Sequence, residues 1–426
     1  MTAIKPHDPN QISAAFSKTS QHDQKYQTIL SVASKLFNIQ GTRGTTLAQI
    51  ADKLQLTKTS LYYYVKTKEQ LVYLCYLNTC TEMQQMVDNA VAQEGSALDK
   101  LESLFRQNFD CWNGIINGHR GYLAGLTEIA TLSVKHQKEI LTYYRNFVVQ
   151  VTQLIEVGQS DGSMQNVVAA KTASAVWGTL FWLPVWLFDV DKNDRENAFE
   201  QWLSVIKFGL NHAQPQFEFK NNTFDQAAAA PAGFDKKELN RKKQEAFFRV
   251  GTMFFNQKGF KGTSLDELAQ SLGVTKGAFY YHIKSKDDLL SKCFERTINI
   301  EQAVLEQAAE SDRSGIDKLA WSVQRLFDIQ VGEQGPLIRY ATMWSFSQEK
   351  RHEIQKATRQ IRDQFGEIIK QGIADKSIRQ TNLQVAENII AGAIELIPDM
   401  NTAMDRQIVS KDAPDFYHIF FNGIAA

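Results

Sequence analysis

Residues 25–72 can be written over residues 243–290 without a gap. Identical residues then face each other at Phe37/Phe255, Asn38/Asn256, Gly41/Gly259, Gly44/Gly262, Thr45/Thr263, Thr57/Thr275, Lys58/Lys276, Tyr62/Tyr280, Tyr63/Tyr281, Lys66/Lys284 and Lys68/Lys286. Such a repeat constrains the fold more than composition does, because each copy must build the same unit. It continues beyond this block. Asp99-Lys100-Leu101 meets Asp317-Lys318-Leu319 at the same offset of 218. The offset then becomes 214, where Gly121 meets Gly335, Arg145 meets Arg359, Gly178 meets Gly392, Pro184 meets Pro398 and Gly209 meets Gly423. The chain is a tandem duplication of two halves of about 185 residues each. Residues 213–240 hold Pro215, four alanines at 227–230, Pro231 and Gly233, and read as a linker.

Within each half the apolar residues recur at helical spacing, as in Ile29, Val32, Ala33, Leu36 and Phe37, then Leu47, Ile50, Ala51 and Leu54. No alternating strand pattern is evident, and Gly and Pro fall mostly between periodic segments. The expected class is all-α, with roughly nine helices per half. A helix should end near Gln40, before Gly41 and Gly44. Thr45 or Thr46 should cap the next, which runs to about Leu54, and Thr57 should cap a third over about 58–64. Two short helices joined by a tight turn are a helix-turn-helix signature.

The bulk numbers exclude several classes. A chain of 426 residues is too long for one core. Its net charge is zero, so affinity for nucleic acid must come from local patches. The four cysteines, Cys75, Cys80, Cys111 and Cys293, form no CxxC pair and sit beside no His cluster. They are read as reduced thiols, neither a zinc framework nor a disulfide scaffold. Cys75 and Cys293 align between the halves, which fits either a redox sensor or a shared buried position. Residues 1–24 form a polar tail without the apolar core of a signal peptide. The apolar run 180–188 is far shorter than a membrane span and contains Pro184. A cytoplasmic protein is expected. No glycine-rich phosphate loop, HExxH or nucleophile elbow appears, so neither catalysis nor a metal or cofactor is expected.

The third helix of the repeated block carries the chemistry. Leu61 and Val65 lie four apart and should point inward, as should Phe279 and Ile283. Lys58, Thr59, Ser60, Tyr62, Tyr63 and Tyr64 are the candidate DNA contacts of the first copy, with Arg43, Thr46 and Lys68 flanking. The second copy offers Lys276, Gly277, Ala278, Tyr280, Tyr281 and His282, flanked by Lys261, Ser264 and Lys286. Residues 43–68 contain five basic residues and one acid, a basic patch in a neutral chain. Lysines at the helix ends suit phosphates, and the middle suits base edges. One such helix pair alone would read equally well as an amphipathic pair with a solvated basic face. The same ordered combination in both copies favours nucleic acid.

These residues resemble the TetR family of bacterial transcriptional regulators. The second copy carries the pattern in Ser264, Leu268-Ala269, Gly273-Val274-Thr275, Phe279-Tyr280-Tyr281-His282-Ile283, Lys286 and Leu289. The first departs from it, with Gln55 at the turn glycine and Thr59 opposite Gly277. A non-glycine residue at a left-handed turn position costs about 1 kcal/mol, so a different turn or a weaker grip on DNA is expected there. The resemblance implies two units, each a helix-turn-helix domain (25–72 and 241–290) followed by a larger helical ligand-binding and dimerisation domain (73–212 and 291–426). It further implies pairing through the last two helices, 167–188 with 195–211 and 382–403 with 412–424. The implied partners are operator DNA and a small-molecule effector.

The candidate effector pocket draws on the aromatics in the middle of each half: Phe109, Trp112, Tyr143, Trp177 and Phe181 in the first, Trp321 and Trp344 in the second. Taken singly, each of these residues reads first as a core or dimer contact, with the pocket as the rival reading. Glu395, opposite Phe181, is a candidate ligand partner but is expected to face solvent or an ion pair. One chain supplies both reading heads, so a single-chain pseudo-dimer is expected, with a dimer of tandem chains and four heads as the alternative. A linker of 28 residues has a coil dimension of roughly 30 Å, enough to run from one ligand domain back to a head. Repression relieved by effector is the default mode, against a DNA-binding protein that takes no ligand.

Overall fold

A computed structural model describes residues 20–126, 128–212, 216–220, 236–395, 397 and 408–426. Most of the expected tail (1–24), most of the linker (213–240) and the aligned Pro398 lie outside the described residues, as does the expected helix beyond Glu395 apart from Ile397. The first half contains α1 (Ser20–Gly44), α2 (Leu47–Lys53), α3 (Lys58–Tyr64), α4 (Lys68–Val91), α5 (Ala97–Ile116), α6 (Val134–Asp161), α7 (Ala169–Leu187) and α8 (Arg195–Phe208). The second repeats them as α9 (Lys236–Gly262), α10 (Leu265–Ser271), α11 (Lys276–His282), α12 (Lys286–Ala309), α13 (Gly315–Val331), α14 (Gln348–Ala374), α15 (Leu383–Glu395) and α16 (Ala413–Asn422). Short 3-10 helices at Ile129–Thr131 and Tyr340–Ser345 precede α6 and α14. The fold is all-α.

Local sequence sets the element ends. Gly41 and Gly259 break α1 and α9 at positive φ, 69° and 66°. Thr46 caps α2 in a reciprocal box with Gln49: its hydroxyl accepts from Gln49 N at 3.2 Å, and Gln49 Oε1 accepts from Thr46 N at 2.8 Å. Thr45 is buried and donates to Gly41 O at 2.9 Å. Thr57 and Thr275 cap α3 and α11 by accepting from Ser60 N and Ala278 N at 3.1 and 3.2 Å. The turn is the same in both copies, because Gln55 adopts the left-handed conformation (φ 54°) that Gly273 adopts (φ 64°). Of the two expectations for Gln55, a different turn or a weaker grip on DNA, the first does not hold: the residue takes the conformation of the glycine although it does not favour it.

Each head has its own apolar core, one built around Ile29, Ile50, Leu61 and Leu71, the other around Phe255, Leu268, Phe279 and Leu289. The two larger domains share a single continuous core that includes Phe105, Phe109, Trp202, Phe327, Phe416 and Phe420. Helices α7 and α8 pack against α15 and α16 across the halves.

Their junction is reciprocal. Asn211 N donates to Phe421 O at 2.9 Å, and Ala425 N donates to Lys207 O at 3.0 Å. Arg379 N donates to Leu210 O, and Gln165 N donates to Ile424 O, both at 2.9 Å. Gly209 and Gly423 sit at the crossing with φ of 71° and 78°. A Cβ on either would lie 2.2 Å from the carbonyl oxygen of Phe421 or Lys207. Residues 216–220 leave the first half along α16. There Phe217 exchanges hydrogen bonds with the Asn422 side chain at 2.7 and 3.0 Å.

The heads also dock crosswise. α1 packs on the 3-10 helix Tyr340–Ser345 of the second half, and α9 packs on Ile129–Thr131 of the first. Gly41 meets Trp344 closely, since a Cβ there would be 3.0 Å from the Trp344 side chain.

Candidate nucleic-acid interface

α3 and α11 are each anchored by two inward apolar residues. Leu61, Val65, Phe279 and Ile283 are all buried, as their spacing predicts. Burial of one side leaves the other fixed in water. Lys58, Thr59, Ser60, Tyr62 and Tyr63 are exposed along α3, and Lys276, Gly277, Ala278, Tyr280 and Tyr281 along α11. Tyr281 is 84% exposed and Tyr63 59%, unusual values for large aromatic side chains on well-formed helices. Tyr64 is half-buried, its ring stacked on His22 at 5.1 Å. His282, its counterpart, is also half-buried and lies edge-on to Phe247 at 5.6 Å. Two short helices therefore present matched rows of hydroxyls, rings and ammonium groups. Such a row can donate to phosphate oxygens and meet base edges.

The flanking residues divide. Thr46 and Ser264 spend their hydroxyls as helix caps. Arg43 turns toward the other half: its guanidinium lies 4.0 Å from the Phe260 ring centre, and Nη1 is 3.9 Å from an Asp287 oxygen and 3.4 Å from Ser345 O. Lys261 is exposed at the end of α9. Lys68 and Lys286 correct an expectation. Lys68 Nζ donates to Thr42 O and Thr45 O at 2.7 and 2.9 Å, and Lys286 Nζ donates to Phe260 O at 2.9 Å. Both ammonium groups satisfy carbonyls at the end of α1 or α9 instead of standing free for phosphate. Burial lowers the pKa of each from the usual lysine value, with a nearby cation adding to it: Lys261 beside Lys68, Arg43 beside Lys286.

The candidate pocket aromatics are divided among three cores. Phe109, Trp112, Trp177, Phe181 and Trp321 belong to the shared core of the larger domains, Tyr143 borders the core of head one, and Trp344 borders that of head two. Phe109 stacks on Phe199 at 4.4 Å, and Trp177 stacks on Phe181 at 4.0 Å. Glu395 is a second correction. Its Oε1 accepts from Tyr340 N at 2.7 Å and so holds the 3-10 helix on which α1 rests. The sequence reading also passed over Glu301 and Glu387, which burial pushes up to about 7; for Glu387 the nearby Asp363 adds to it. Their counterparts are Met83 and Ala173, and a carboxyl aligned with such residues was the available signal.

Cys75 and Cys293 share a buried position, with Sγ donating to Leu30 O and Phe248 O at 3.6 and 3.3 Å. Burial raises both thiols to about 12, which opposes the thiolate a redox sensor needs. Among the described residues no helix is long and apolar enough to cross a membrane.

Comparison with known proteins agrees with this geometry. Residues 29–73 and 248–293 each match "Bacterial regulatory proteins, tetR family", and residues 312–399 match "Tetracyclin repressor-like, C-terminal domain". The chain is 40% identical over 76 residues to the HTH-type transcriptional regulator AcrR of Shigella flexneri, covering 18% of this chain and 35% of that one. It thus spans about a third of that relative's length. It is 25% identical over 203 residues to the HTH-type transcriptional repressor KstR2 of Mycolicibacterium smegmatis, covering 46% of this chain and 95% of that one. Among solved structures, the ketosteroid transcriptional regulator KstR2 of Mycobacterium tuberculosis aligns with 44% of this chain and 94% of its own, at 18% identity and a TM-score of 0.37. The Mycolicibacterium smegmatis relative, matched over 95% of its length, thus covers 46% of this chain, while the N-terminal signature occurs twice. The chain belongs to the TetR family of bacterial regulatory proteins and carries two TetR-like halves in tandem.

Proposed function

We propose that the protein is a sequence-specific DNA-binding transcriptional regulator, a repressor released by a small apolar or aromatic effector. Its two heads would act as an intramolecular pseudo-dimer on an operator with unequal halves. The observation that carries this reading is the pair of solvent-facing helices, α3 and α11, mounted on larger domains that share one core and a reciprocal seam. A paired helix-turn-helix protein sets its reading helices one DNA turn or a multiple apart, and a fused chain supplies both. The two rows agree at Lys58/Lys276, Tyr62/Tyr280 and Tyr63/Tyr281, and differ at Thr59/Gly277, Ser60/Ala278 and Tyr64/His282. A homodimer must read both half-sites alike, whereas this chain is free of that restriction.

The test is selection of bound duplexes from a random pool, with the mass of the complex measured in solution. The expected result is a site with two unlike halves and one 48.3 kDa chain per site. A palindromic site, or two chains per site, would overturn the pseudo-dimer on unequal halves. Tyr63→Ala and Tyr281→Ala should each weaken binding about tenfold or more, as loss of a hydrogen bond to a charged acceptor does. Wild-type affinity in both would remove α3 and α11 from the interface.

A second reading, a DNA-binding protein that takes no effector, is favoured by the packing of candidate pocket aromatics into the core, Phe109 on Phe199 and Trp177 on Phe181. Thermal melting against a panel of apolar and aromatic compounds separates the two: a ligand that raises Tm and lowers operator affinity supports the effector.

A further inference from the structure

Head two carries two ion pairs whose counterparts head one lacks. In head two, Lys276 at the start of α11 has its Nζ 2.6 Å from an oxygen of Asp266 in α10. A second pair joins Lys258 to Glu267 at 2.7 Å. The counterparts in head one are Lys58 opposite Ala48, and Gln40 opposite Gln49. Residues 43–68 carry five basic residues and one acid, whereas residues 261–286 carry four and two. With alanine at position 48, the space beside the Lys58 ammonium is an open cleft of about 320 Å3, lined also by Thr46, Ala48, Tyr62 and Lys68.

A carboxylate and a phosphodiester are both oxyanions, and they compete for the same ammonium donor. We propose that the cleft at Lys58 is an open seat for a backbone phosphate, and that head two fills its matching seat with its own Asp266. DNA must displace this carboxylate from Lys276, and it brings like charge toward Asp266 as it does so. Head one is therefore the anchoring head, engaging any duplex through phosphates. Head two engages only where base contacts offset the displacement, and so carries more of the sequence discrimination. This inference rests on the DNA-binding reading proposed above.

The test uses the full-length chain, with affinity for a selected duplex and for an unrelated duplex measured over a tenfold range of salt. Each phosphate contact contributes about 0.9 to the slope of log affinity against log salt, equivalent to about eightfold in affinity over that range. Asp266→Ala and Asp266→Asn should bind both duplexes more tightly with slopes steeper by about 0.9, the asparagine variant retaining the side-chain shape at the start of α10. Ala48→Asp should flatten the slope by the same amount. Lys276→Gln should abolish the gain in the Asp266→Ala background. Melting curves establish that each variant is folded. Unchanged slopes in the Asp266 variants, or an equal cost of Lys276→Gln with and without Asp266, overturn the inference and leave DNA binding intact. A wild-type chain that binds no duplex overturns the functional reading instead.

Discussion

Gln55 and Gly273 occupy one turn in two copies, at φ of 54° and 64°. An L side chain in the left-handed region brings its Cβ against the following carbonyl, while glycine escapes that contact but gives up more chain entropy on folding. The first effect is the larger. Gln55→Gly is therefore expected to stabilise head one by about 0.5–1 kcal/mol, and Gly273→Ala to destabilise head two by about 1 kcal/mol. Thermal unfolding of each variant checks this. A Gln55→Gly variant that melts below the wild type would mean that the glutamine side chain earns its place by contacts elsewhere. The cost was legible in the sequence from the alignment of Gln55 with Gly273. That the chain accepts it without changing the turn was not.

At the scale of the element, the lysine that opens α4 and α12 changes meaning. From sequence, Lys68 and Lys286 belong to a basic patch; in space, their ammonium groups cap the carbonyl ends of α1 and α9. A positive charge there satisfies acceptors left without intrahelical partners and complements the helix dipole. Lys68→Met and Lys286→Met should each lower stability by about 1.5–3 kcal/mol, the range for hydrogen bonds involving a charged group, while leaving the salt slope of DNA binding unchanged. A slope flattened by about 0.9 with unaltered stability would restore the phosphate role. The boundaries of α2 and α3, by contrast, were readable in advance: Thr46, Thr57, Gly41 and the inward pair Leu61 and Val65 act within a few residues of themselves. The two 3-10 helices were not, because they are held from outside, one of them by Glu395 from α15.

Over the whole molecule, the two halves are held by a seam as well as by a shared core. Gly209 and Gly423 allow each C-terminal strand of chain to cross the other half at backbone distance. Gly209→Ala and Gly423→Ala should each cost about 2–4 kcal/mol, combining strain at positive φ with a forced separation of packed backbone. Near-equal losses in Tm would match the reciprocity of the seam. A neutral result at either glycine would mean that the halves are not held together there. The crosswise docking of α1 and α9 adds a second tie, since each head rests on a 3-10 helix of the other half.

The sequence by itself determined that the chain is two copies of an all-helical unit, where the short helices of each head begin and end, and which faces of α3 and α11 are apolar. Those properties follow from periodicity and capping, which act over a few residues and are written in order along the chain. Only the tertiary structure decided that Lys68 and Lys286 bind carbonyls, that Arg43 faces Phe260, that Glu395 supports the opposite head and that Phe109 packs on Phe199. Each of these depends on contacts between residues tens to hundreds of positions apart. A side chain's partner at that range is set by how the helices pack, and no local pattern records it.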